Sequence, residues 1–77
     1  MPHTATPDLA LAAAIRRLRE ERGLTREAVA FHAGITNGSL ARIELAQSAP
    51  KWYTVRLIAR AMDVPLVALA RVIEDLD

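Results

Sequence analysis

The sequence predicts an all-α fold, a five-helix bundle forming one domain over residues 1–77. Three observations predict it. Apolar residues recur at helical spacing in successive short stretches. Gly23, Gly34, Pro50 and Pro65 fall where those stretches end. Apolar residues make up 52% of the chain, and many are alanines, which favour helix more than they fill volume. With no cysteine, neither a disulfide nor a thiolate metal site can staple so small a core. Stability must come from helix packing, to which pairing with a second copy would add.

Residues 1–6, with Pro2 among them, read as a flexible arm. Thr6-Pro7-Asp8 then opens the first helix: Thr6 as cap, Pro7 in the first turn, Asp8 complementing the dipole. Leu11, Ile15 and Leu18 form its inner face and Gly23 ends it, with Leu24 packing back beneath the turn. The central stretch is Thr25–Glu44. Thr25 caps a short second helix over Arg26–His32, and Gly34 takes a left-handed conformation to reverse the chain. Thr36 caps a third helix whose Leu40 and Ile43 share one face. Two short helices crossing closely at small Ala30 make a helix-turn-helix, whose second helix can enter a DNA major groove.

Ala30, Gly34, Thr36, Leu40, Ile43 and Glu44, preceded by Arg19 and Gly23, resemble the lambda-repressor-like (XRE) helix-turn-helix family over roughly residues 11–69. The resemblance implies a lambda-repressor-like bundle, with helices two and three as the helix-turn-helix. It also implies a structural salt bridge between Arg19 and Glu44, for which a planar guanidinium gripping a carboxylate with two hydrogen bonds is well suited. Two departures stand out. Arg26 occupies a position where the family usually has glutamine. A cation in the first turn of a helix opposes the dipole, an objection that a nearby anion such as a DNA phosphate removes; otherwise it is a solvated arginine tolerated at small cost. Ala46 stands where a glycine normally ends the third helix, so either the following loop is built differently or the helix runs on.

Thr36-Asn37-Gly38-Ser39 lacks the Glu or Gln of a capping box, leaving the helix end open to phosphate. Asn37 suits adenine, Ser39 several bases, and Arg42 a bidentate contact with guanine. Gly38 weakens the helix by about 1 kcal/mol relative to alanine, marking close approach to DNA or merely a weak first turn. Thr25, Arg26, Thr36, Asn37, Gly38, Ser39, Arg42 and Lys51 are therefore the candidate DNA-binding residues. Lys51 would reach phosphate beside the fourth helix, which spans about Trp52–Met62. Val55, Leu57, Ile58, Ala59 and Met62 carry the apolar repeat of that helix, and of Trp52 and Tyr53 one is expected in the core and the other partly exposed. His32 is a helix-end histidine with no ligand role.

Asp63-Val64-Pro65 breaks the chain before a fifth helix ending near Leu76. Its apolar residues extend beyond one face. Leu66, Val67, Leu69, Ala70 and Ile73 are the candidate dimer interface.

Net charge is only +1, but its distribution is uneven. Through residue 60, nine Arg and Lys stand against five Asp and Glu; afterwards, Arg71 stands against four carboxylates. That suggests a basic working face and an end turned away from it. No apolar run reaches the ~20 residues of a membrane span, and Leu9–Ile15 lacks the basic flank of a signal peptide, so a cytoplasmic protein is expected.

The functional expectation is a homodimeric, sequence-specific regulator on double-stranded DNA with a palindromic operator. Small family members include phage-type repressors, restriction–modification controllers and antitoxins. The alternative is a protein-interaction module, such as an antitoxin or adaptor, on the same bundle. No clustered catalytic side chains or glycine-rich phosphate loop suggest an enzyme, and no cofactor or metal is expected.

Overall fold

The computed structural model describes residues 8–77. Five helices follow in order: α1 (Leu9–Glu21), α2 (Arg26–Ala33), α3 (Asn37–Glu44), α4 (Trp52–Ala61) and α5 (Leu66–Leu76). Among the described residues there is no strand. The all-α five-helix bundle expected from the sequence is therefore what the chain forms. Helix α1 packs mainly against α5 and also against α3, while α2 packs against α4 and α3. The short pair α2–α3 is thus backed on both sides by longer helices.

The caps explain the helix starts. Thr25 Oγ1 accepts a hydrogen bond from the Ala28 N–H at 3.1 Å, and Thr36 Oγ1 one from the Ser39 N–H at 3.0 Å. For α1 the expectation needs correction. Asp8 does not lie in the first turn but is itself the cap, its Oδ1 accepting from the Leu11 N–H at 3.0 Å. The residues expected to form the arm, with Thr6 and Pro7, lie outside the described residues.

The stops are equally local. Gly34 has φ +75° and ends α2 in the left-handed conformation expected of it. Ala46 does the same after α3, at φ +57°, despite carrying a Cβ. Its N–H reaches the Ile43 carbonyl at 3.1 Å, and the Gln47 N–H reaches the Arg42 carbonyl at 2.8 Å. The helix end made by glycine elsewhere in the family is kept, with strain accepted in its place. Asp63 repeats the device after α4, also at φ +57°.

One core joins the helices: Ile15 and Leu18 from α1, Val29, Ala30 and Ala33 from α2, Leu40 and Ile43 from α3, Val55, Ile58 and Ala59 from α4, then Met62, Val64 and Leu69. Ile15, Leu40 and Ile58 are completely buried, each worth about 1.5–3 kcal/mol of apolar transfer. Leu24 packs against this core from the turn, as expected.

Trp52 and Tyr53 correct a second expectation, because both are exposed, at 66% and 65%. The buried face of α4 begins one turn later, at Val55. Both rings stand on the turn before that face, and Trp52 edges an apolar groove rather than entering the core. Among the described residues no helix is long and apolar enough to cross a membrane, and no three His, Asp or Glu gather as metal ligands.

Candidate nucleic-acid interface

Helix α3 is divided lengthwise. Leu40, Ile43 and Glu44 are buried, whereas Asn37, Gly38 and Arg42 are exposed on the opposite side. Gly38 and Arg42 are one turn apart, and the Arg42 side chain lies back along the helix. Its Nη2 donates to Ser39 Oγ at 3.4 Å, and a Cβ built on Gly38 would sit 3.7 Å from Arg42 Nη1. That separation is ordinary van der Waals contact, so no neighbour among the described residues demands a glycine here. Ser39, half-buried, also takes a hydrogen bond at 2.9 Å from Thr36 Oγ1. The two hydroxyls and the Arg42 guanidinium form one polar chain along the start of α3.

The buried Glu44 is the anchor of this arrangement. Arg19 Nε donates to Glu44 Oε2 at 2.7 Å and Arg19 Nη2 to Oε1 at 3.0 Å, a two-pronged grip. Arg19 Nη1 is used as well, donating to the Leu24 carbonyl at 2.9 Å. These bonds join the exit of α1 and the turn before α2 to the end of α3. The hydrogen bond with Glu44 raises the Arg19 guanidinium above its already high ordinary pKa, against the opposing effect of burial.

Sequence reasoning missed the second cation on that carboxylate. Arg26 Nε donates to Glu44 Oε1 at 3.3 Å. The anion that makes a cation tolerable in the first turn of α2 is therefore present within the chain. The one available signal was the dipole argument itself, which asked for an anion near Arg26 without naming Glu44. Glu44's side chain has no exposed surface, while Arg26's retains 37%.

The other expected contacts lie on the caps and outer surfaces of the neighbouring helices. Thr25 is exposed, but its hydroxyl caps α2. Lys51 stands at the cap position of α4, is exposed, and makes no side-chain capping bond. Arg16 and Arg17 are paired on their own helix with Glu20 at 3.3 Å and Glu21 at 3.1 Å. Among the described residues, Arg42 and Lys51 have no carboxylate partner.

Far along the chain, the expected dimer residues divide. Leu69, at 2% exposure, is spent on its own core. Leu66 and Ile73 pack against that core in part, and Val67, at 61%, and Ala70 are exposed. Beside them runs an apolar groove of about 430 Å³, walled by Leu11, Pro50, Trp52, Val55, Leu66 and Ile73. Phe31, unremarked in the sequence, is 79% exposed and meets the edge of His32 with ring centres 5.4 Å apart.

A family model described as a helix-turn-helix domain matches residues 10–72. No curated protein matches the chain in sequence. Among solved structures, the chain is similar to the wild-type restriction–modification controller protein C.Esp1396I, with a TM-score of 0.86 at 18% identity over 94% of this chain and 92% of that one. It is also similar to the controller protein C.AhdI from Aeromonas hydrophila, with a TM-score of 0.75 at 24% identity over 79% of this chain and 92% of that one. The clp gene regulator ClgR from C. glutamicum gives 0.85 at 18% identity, covering 94% of each chain.

Proposed function

Because the chain belongs to the helix-turn-helix domain family, of the lambda-repressor-like type, we propose that it is a sequence-specific transcriptional regulator on double-stranded DNA, working as a homodimer. The observation that carries this reading is the lengthwise division of α3. One side is locked into the core by Leu40, Ile43 and the buried Glu44, and the other offers Asn37, Gly38 and Arg42 to the outside. A helix held so firmly along its back can present a fixed set of side chains to base edges in a major groove.

Roles follow from chemistry. Arg42, free of any carboxylate among the described residues, has the donor fork that matches guanine. Asn37 suits adenine, and Ser39 adds a hydroxyl. Thr25, Thr36, Arg26 and Lys51 are assigned to phosphates, contacts which fix the position of the protein without reading sequence. Val67 and Ala70, with the rims of Leu66 and Ile73, form the apolar seam between two copies. A two-fold pair then sets two α3 helices about 34 Å apart on one side of a palindromic operator. Restriction–modification controllers and a clp gene regulator are among its structural neighbours, and a regulator located in the cytoplasm is the reading we adopt.

Fluorescence anisotropy with duplex DNA at several salt concentrations is the test. Log affinity falls with log salt at roughly −0.9 per phosphate neutralised, and selection from a random duplex pool returns a palindrome. Salt-independent affinity, or no binding to any duplex, would refute the proposal.

A further inference from the structure

We infer that Glu44 is a positioning residue for a DNA phosphate, acting through Arg26. This rests on the DNA-binding reading above and deepens it. A single carboxylate with no exposed surface serves two guanidiniums, one held by two bonds of 2.7 and 3.0 Å and the other by one of 3.3 Å. Arg19 spends all three of its nitrogens inside the chain, on Glu44 and the Leu24 carbonyl. Arg26 spends only Nε. Among the described residues its two Nη groups have no hydrogen-bond partner, and its side chain keeps 37% of its surface in water.

Charge and geometry lead to the same place. Two cations share one anion, so a unit of positive charge remains uncompensated, and it resides on the arginine that solvent can reach. The bond to Oε1 fixes the guanidinium plane by its Nε edge. The free edge carries a pair of nitrogens, and a pair of parallel N–H donors is the arrangement that grips two phosphate oxygens. Glu44 cannot swing with Arg26, because Arg19 holds both of its oxygens. The carboxylate is thus a fixed peg on which an outward-facing phosphate clamp is hung. A lysine at this position would carry the same charge but has no Nε–H to hang from the peg.

That difference supplies the test. The probe is a fluorescein-labelled duplex of mixed sequence, about two turns or roughly 20 bp long, since phosphate contacts do not require an operator. Arg26→Lys is expected to weaken binding about 5–10-fold while leaving the salt slope near that of the wild type, because charge is kept and orientation lost. Arg26→Ala weakens it at least as much and lowers the slope by about 0.9. In a Glu44→Gln background, the penalty for Arg26→Lys shrinks to about twofold or less, the peg having been weakened. Circular dichroism reports whether that background folds. If it does not, Glu44→Asp, which keeps the charge but withdraws the carboxylate by one methylene, takes its place; an Arg26→Lys penalty as large in the altered background as in the wild type would overturn the role of Glu44.

Equal binding by wild type and Arg26→Lys at every salt concentration would overturn the inference, reducing Arg26 to a point charge. An unchanged slope in Arg26→Ala would overturn it too, by removing the phosphate. In either case the wild type still binds duplex and the functional proposal stands; a wild type that binds no duplex refutes that proposal instead.

Discussion

Removing Arg19 tests the centre of the fold directly. Arg19→Ala leaves the Glu44 carboxylate, which has no exposed surface, with only the 3.3 Å bond from Arg26. Breaking a buried pair in this way costs about 3–5 kcal/mol, and the surviving Arg26 contact puts the expectation near the lower end, about 3 kcal/mol. Glu44→Ala costs less, about 2 kcal/mol, because the Arg19 guanidinium keeps its bond to the Leu24 carbonyl and Arg26 is open to water. The double variant strands no charge and should lose only about 2–3 kcal/mol, less than the sum of the singles by roughly 2 kcal/mol. In urea melts, a domain of this size has a slope of about 1 kcal/mol/M, so Arg19→Ala moves the midpoint by about 3 M. The raised pKa of Arg19 fixes the pH dependence: its contribution is complete below the unfolded-state value and is lost only as pH climbs through the still higher folded-state one. The coupling should therefore be the same at neutral pH and at about pH 9. Single losses that simply add would refute the reasoning, because they would mean that neither side chain depends on the other.

Ala46→Gly should stabilise the domain by about 0.5–1 kcal/mol, the relief of a left-handed alanine less the entropy glycine gains when unfolded; a thermal melt checks it, with a rise of about 3–6 °C expected. Gly38→Ala should also stabilise the free protein, by up to about 1 kcal/mol, while weakening duplex binding if the space at Gly38 is used by DNA; paired melts and titrations separate the two effects. Arg42→Ala should cost about 1–3 kcal/mol on the selected site and relax preference at one base, read from a panel of single-base variants. Val67→Glu should place two carboxylates in the seam between copies and leave α2–α3 intact; sedimentation equilibrium of the wild type and variant tests this, and a wild type monomeric at micromolar concentration would contradict the dimer.

Features set by neighbours in the chain were legible in the sequence. Thr25, Thr36 and Gly34 act within three or four residues of themselves, and their roles follow from side-chain and backbone chemistry alone. The Arg19–Glu44 pair spans 25 residues and was reachable only through family resemblance. That Arg26 also meets Glu44 was signalled only as a need for some nearby anion, since the identity of that anion depends on how α2 and α3 cross. Ala46 misled because its Cβ argued against a left-handed end, whereas the chain takes one and closes it with two backbone hydrogen bonds. Trp52 misled for a different reason. Hydrophobic periodicity assumes that the buried face runs the length of the helix, and in α4 it begins only at Val55. Leu69 fell within an apolar stripe too broad for one face, and periodicity alone could not divide that stripe between core and surface.

In α3, the residues that hold the helix in place and those that face outward are almost entirely different residues. Leu40, Ile43 and Glu44 do the first, and Asn37, Gly38 and Arg42 the second, with Ser39 and Ala41 half-buried between them. Such a division makes the domain evolvable. If α3 reads DNA as proposed, substitutions on the outer side can change what the helix recognises while the folding free energy stays nearly constant, so a duplicated copy could acquire a new address without first acquiring spare stability. By the same logic, exchanging those three outer residues as a block is the shortest route to re-addressing the domain by design.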